Sequence, residues 1–187
     1  MPRSIAVFCG AAPGHERAFA DAARELGQAI ARSDRALVYG GGSVGLMGAV
    51  ADGALLQNGR ITGVITRQLV DKELAHKGVT DMRIVETMHD RKMMMASMAE
   101  AFIALPGGFG TLDEFFEILA WAQLRIHHKP VGVLDVNGFF DPLLTFLDRA
   151  GDAGFLRLPH REFIVVDENP TSLLERLTAK AQTMRQA

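Results

Sequence analysis

A glutamate four residues beyond a glycine turn is the first feature of this chain that could do chemistry. Leu105 to Glu117 reads LPGGFGTLDEFFE, in which Gly107, Gly108, Phe109 and Gly110 lead through Thr111 into a helical pattern bearing Asp113, Glu114 and Glu117. Unpaired backbone N–H groups at a helix start, with the helix dipole behind them, favour a bound phosphate. A carboxylate beside such a cradle is less ordinary, because two anions repel; its use is chemistry on what the phosphate is attached to. Arg91 and Lys92, in Met88-His89-Asp90-Arg91-Lys92, are the second candidates. They place two cations at a helix start, against the dipole. The planar fork of Arg91 suits an anion clamp, and the alternative is a solvated cationic turn. Thr111-Leu112-Asp113-Glu114 has an alternative too: it reads as a capping box, with Glu114 folded back onto the Thr111 N–H and serving only the helix end.

These residues need a scaffold, and the apolar runs supply one. Ser4 to Cys9, Ala36 to Tyr39, Ile61 to Ile65, Arg83 to Val85, Ala101 to Leu105, Val131 to Leu134 and Phe163 to Val166 read as strands. Helical patterns lie between most of them, over 15–32, 44–57, 89–99, 112–124 and 139–150, with a terminal helix capped through Ser172 and Glu175. Strands that are mostly continuous apolar runs, alternating with helices, indicate a parallel sheet covered on both faces. The predicted fold is an α/β, Rossmann-like doubly wound parallel sheet with helices on both faces, a single domain over 1–187. Ligands in such folds bind at the carboxyl ends of the strands. Gly40-Gly41-Gly42 and the turn at 107–110 each follow a strand and precede a helix, so both are expected at one crevice. The helix at 112–124 is apolar nearly all round, through Phe115, Phe116, Trp121 and Leu124 among others. One side can face the sheet; the other predicts a homodimer.

Several function classes fall away. Gly40, Gly42 and Gly45 fit a dinucleotide fingerprint, but the following strand ends at Thr66-Arg67 with no acid for ribose hydroxyls. No Gly-Lys-Ser/Thr sequence supports a P-loop. A net charge of −2 and a pI near 6.3 give no reason to expect a nucleic-acid partner. The six histidines include no H-x-x-x-H pair, adjacent His127 and His128 read as a solvated helix end, and no metal site is expected. Met93, Met94, Met95 and Met98 read as core. A single cysteine, Cys9, and no apolar run of about 18 residues predict a cytoplasmic protein without a membrane partner.

Together these stretches resemble the LOG (Lonely Guy) family, the cytokinin riboside 5′-monophosphate phosphoribohydrolases. FCGAAPG at 8–14, VYGGGSVGLMG at 38–48, MHDRK at 88–92, LPGGFGTLDE at 105–114 and WAQLRIHHKPVGVL at 121–134 fall in the family's order and spacing. The resemblance implies a homodimer without metal or other cofactor, cleaving a nucleoside 5′-monophosphate to free base and ribose 5-phosphate. It implies Arg91 and Glu114 as the catalytic pair, with Glu73, Lys92 and Gly107 to Thr111 binding substrate, and Gly41 and Gly42 beside them. Ala11, Ala12, Thr66 and Ala120 depart from the family pattern and bear on which base is preferred. Two other functions fit the same residues: a nucleotide-binding sensor or carrier without turnover, and a general purine nucleotide nucleosidase. Some relatives are labelled lysine decarboxylases, but no lysine here has a recognisable pyridoxal-phosphate context.

Overall fold

The computed structural model describes residues 2–72, 74–157 and 161–186. Seven strands form one parallel sheet: β1 (Ser4–Phe8), β2 (Ala36–Tyr39), β3 (Ile61–Thr66), β4 (Asp81–Val85), β5 (Ala101–Ala104), β6 (Val131–Leu134) and β7 (Ile164–Asp167). Their spatial order is β4-β3-β2-β1-β5-β6-β7. The helices are α1 (Arg17–Arg32), α2 (Gly45–Leu55), α3 (Arg67–Asp71), α4 (Met88–Met98), α5 (Phe109–Gln123), α6 (Asp141–Asp152) and α7 (Pro170–Gln186). This is the doubly wound Rossmann-like arrangement expected.

The continuous apolar runs arise because each central strand feeds two cores. Ile5 and Val7 point to one side, where Leu26 of α1, Val50 of α2 and Leu174 of α7 pack. Ala6 and Phe8 point to the other, against Met95 of α4, Phe115 of α5 and Leu144 of α6. A pleat with period 2 and helices on both faces requires apolar residues at successive positions. The edge strand β4 is the exception: its Arg83 and Ile84 are exposed, and Asp81 accepts a hydrogen bond from Thr62 Oγ1 at 2.8 Å. Polar residues are tolerated there because one flank has no neighbour.

Three local expectations are corrected. The terminal helix begins at Pro170, and the Asn169 Oδ1 atom caps it by accepting from the Thr171 and Ser172 N–H groups, each at 3.0 Å. Ser172 therefore lies inside the helix, its hydroxyl donating to Asp167 at 2.6 Å. Proline at the first helical position needs no N–H partner, which moves the start ahead of the predicted box. His127 is partly buried rather than solvated, with Nε2 against the Ile118 carbonyl at 3.0 Å and Nδ1 accepting from the Lys129 N–H at 3.1 Å. Of the methionines, Met95 is core, while Met93 is exposed. No helix among the described residues is long and apolar enough to cross a membrane.

Candidate active site

The sheet order reverses between β1 and β5, which are neighbours in space with three strands between them in sequence. The chain leaves β1 toward one face and β5 toward the other, opening a crevice at their carboxyl ends. The turns after them meet there, the Gly10 N–H donating to the Pro106 carbonyl at 3.0 Å. A cavity of about 460 Å³ lies over this junction.

The start of α5 forms one wall. Gly108 is its N-cap residue, and no side chain caps it. Thr111 is thus in the first turn, buried and lining the cavity, and not the cap that the sequence predicts. The reason is steric: a Cβ at Gly107 would collide with the Thr111 side chain, so the glycine lets the turn close early. A Cβ at Gly108 or Gly110 would meet no atom within 4 Å. Their backbone therefore borders open space, as an anion cradle requires. Phe109 points away and is 93% exposed.

Glu114 does not fold back as a capping box. Its side chain lines the cavity, and its Oε1 atom accepts from Arg91 Nη1 at 3.0 Å. Both residues are buried, at 8% and 6% exposure. The solvated turn is therefore wrong for Arg91, whose three guanidinium nitrogens each donate a hydrogen bond. Nε donates to the Val64 carbonyl at 2.9 Å and Nη2 to the Gly40 carbonyl at 3.1 Å. Any side chain at residue 40 would collide with that guanidinium. Burial pushes the Glu114 carboxyl up from its ordinary value, with Arg91 opposing. Cys9, at the end of β1, lines the same cavity as a thiol driven upward by burial and then by the charge of Glu114.

Other predicted site residues fall elsewhere. Lys92 is next to Arg91 in sequence but outside the cavity wall: its ammonium bridges Asp113 at 3.1 Å and Glu117 at 3.2 Å. Burial would lower Lys92, but the two carboxylates outweigh it and hold the ammonium above its ordinary value. Gly40 lines the cavity, whereas Gly41 packs toward Ile65 and Met82 and Gly42 pairs with Ala75. Glu73 lies outside the described residues. Sequence reasoning missed Phe19 and Phe139, which also line the cavity. At helical spacing they read as ordinary core positions.

Comparison with known proteins follows the same lines. A family model described as "Possible lysine decarboxylase" matches residues 47–177. A probable cytokinin riboside 5′-monophosphate phosphoribohydrolase of Oryza sativa subsp. japonica is 48% identical over 176 residues, covering 94% of this chain and 72% of the relative. A cytokinin riboside 5′-monophosphate phosphoribohydrolase of Arabidopsis thaliana is 44% identical over 177 residues, covering 95% of this chain and 78% of the relative. This chain belongs to the LOG family. The resemblance carried by the motifs is thereby borne out. Among solved structures, the molybdenum cofactor binding protein from Rippkaea orientalis superposes with a TM-score of 0.71 at 22% identity, covering 94% of this chain and 95% of that one. At that identity the likeness shows the fold that this LOG protein shares with it, and nothing of function.

Proposed function

We propose that this LOG-family chain hydrolyses the N-glycosidic bond of a cytokinin riboside 5′-monophosphate, an N6-modified AMP, releasing the free base and ribose 5-phosphate. The single observation that carries this reading is the buried Glu114 carboxylate, held by Arg91 at 3.0 Å on the wall of a cavity that also includes the open start of α5. The activities for which the relatives are named support it.

The phosphate would occupy the cradle at Gly108 to Thr111, as a dianion at a helix N-terminus. That anchor places C1′ against Glu114. As the bond from C1′ to the base nitrogen breaks, positive charge grows on the ribose ring, and a fixed carboxylate stabilises it more than it stabilises the neutral ground state. Water forms the new bond to C1′; one of its protons leaves with the base. Glu114 orients that water. Arg91 is a positioning residue: its other two hydrogen bonds go to backbone carbonyls, so it aims Glu114 and opposes the upward push of burial on its carboxyl.

The assembly we propose is a homodimer in the cytoplasm. Phe116, Ala120 and Gln123 lie on the exposed side of α5 and line a shallow groove with Leu119 and Leu147. An apolar strip of this kind is suited to a two-fold partner.

The test is incubation with cytokinin nucleotides, AMP and other nucleotides, with the products resolved chromatographically. Free base and ribose 5-phosphate in equal amounts support the reading. Nucleotides bound but recovered intact would make the protein a carrier.

A further inference from the structure

The cavity wall has two chemically distinct parts. Apart from the buried thiol of Cys9, its polar side chains among the described residues are Arg91, Thr111, Asp113 and Glu114, all from α4 and α5. The remainder of the wall comes from β1 and the turn after it, from α1, from Gly40 after β2, from the start of α2, from Met88 of α4 and from the turns after β5 and β6. It presents backbone and apolar side chains. Among the described residues, no side chain of this part of the wall can hydrogen-bond the polar edge of a base. Recognition there rests on ring faces and apolar contact.

Two rings dominate this part of the wall. Phe19 of α1 and Phe139 of the turn after β6 meet edge to face, with centroids 5.7 Å apart and planes at 76°. Phe19 is fixed from behind by Gly14, where a Cβ would come within 2.6 Å of the ring. Phe139 packs edge to face on buried Phe140 at 5.1 Å yet remains 42% exposed, leaving ring surface unburied. The turn that carries it is tied down twice. Asp135 Oδ1 accepts from the Phe140 N–H at 2.8 Å, and Asn137 Nδ2 donates to Glu16 Oε2 at 2.8 Å. The second bond crosses from the β6 turn to the residue preceding α1. It therefore links the two rings' supports.

We infer that Phe139, seated against Phe19 and held by the Glu16–Asn137 hydrogen bond, sets the selectivity of this site for an apolar substituent on the base. The inference rests on the proposed function and adds to it the residue that distinguishes N6-alkylated from unmodified adenine. An apolar wall discriminates on contact area, by roughly 10- to 200-fold per methylene at best. It does not reject a base for lacking or carrying a polar group at its edge. Selectivity is therefore graded, with N6-isopentenyl-AMP ahead of AMP and AMP still accepted.

The experiment compares kcat/KM for N6-isopentenyl-AMP and AMP in the wild type and in Phe139→Ala, Glu16→Ala and Glu16→Gln. Phe139→Ala should reduce the ratio of the two by about tenfold or more, through KM. Glu16→Ala should reduce it in the same direction, while Glu16→Gln keeps an acceptor for Asn137 and should restore the wild-type ratio. An unchanged ratio in Phe139→Ala, or equal behaviour of the two Glu16 variants, would overturn the assignment. Calorimetric binding of both nucleotides to Glu114→Gln, with and without Phe139→Ala, reads the same ratio without turnover. If the wild type cleaves neither nucleotide, the proposed function fails. The binding ratio then decides the Phe139 assignment alone: a fall supports it and no change refutes it.

Discussion

Replacing Glu114 by glutamine separates chemistry from architecture. The side chain is 8% exposed and accepts one hydrogen bond from Arg91 at 3.0 Å. Glutamine has the same shape and keeps a carbonyl acceptor for Arg91 Nη1, so the change removes charge and little else. A full charge about 5 Å from a developing cation, at an effective dielectric near 20, is worth about 3 kcal/mol. That corresponds to a loss in kcat on the order of 10²–10³, the range found for single electrostatic groups. Folding should change little. Burial already pushes the carboxyl up, so the desolvation it suffers offsets much of the attraction to Arg91 that is lost. Glu114→Ala is the control: it strips the buried guanidinium of a partner and should cost about 3–5 kcal/mol of stability. The assays are steady-state base release and thermal melting. The acid limb of kcat/KM should also fall above the ordinary carboxyl value of 4.5 and vanish in the glutamine variant. A Gln variant that retained kcat within about tenfold would refute the electrostatic role. One that melted as early as the alanine variant would refute the division between charge and structure.

Gly108→Ala should fold with a stability change within about 0.5 kcal/mol, because its methyl meets no atom within 4 Å, yet raise KM for the nucleotide about tenfold by filling the cradle. Gly107→Ala, which collides with Thr111, should instead lower the melting temperature. Light scattering at micromolar concentration should report a dimer; a stable monomer would leave the apolar strip around Phe116 to be explained within one chain. Burial alone would raise the Asp167 carboxyl, but bonds from Ser172, the Asn169 N–H and Arg176 outweigh it and pull it from 3.8 to about 2. Its contribution is therefore present above pH 3.8 and lost as pH falls toward 2, so Asp167→Asn should flatten acid denaturation across that interval.

The strands were legible because both faces of most of them are buried, which writes their positions as unbroken apolar runs. The edge strand β4 was read short by Asp81 and Met82, since it lies on a flank where burial no longer dictates residue type. The glycine turn was legible as a strand-to-helix junction, but the helix start was placed too late. Thr111 looks like a cap in one dimension, and only the close approach to Gly107 shows that the helix begins before it. The partnership of Arg91 with Glu114 spans 23 residues and depends on the sheet bringing α4 and the start of α5 to the carboxyl ends of its central strands, which local pattern does not encode. Lys92 shows the converse: adjacency to Arg91 suggested a shared role, yet successive helical residues point in different directions. Phe19 and Phe139 were invisible as a pair because each satisfies an ordinary apolar pattern, and 120 residues separate them.

The claim on which everything else depends is that a phosphate anchored at the start of α5 positions the glycosidic bond for cleavage beside Glu114. Charge-assisted hydrogen bonds are worth about 1.5–3 kcal/mol each, so the loss of several slows the reaction by several powers of ten. The direct measurement is kcat/KM for N6-isopentenyl-AMP against the matching nucleoside, at equal enzyme concentration, with free base as the product followed. The account predicts rapid base release from the nucleotide and a rate lower by several powers of ten from the nucleoside. A ratio near one would mean that the cradle at Gly108 to Thr111 does not hold the phosphate, and the positioning of C1′ against Glu114 would fall with it.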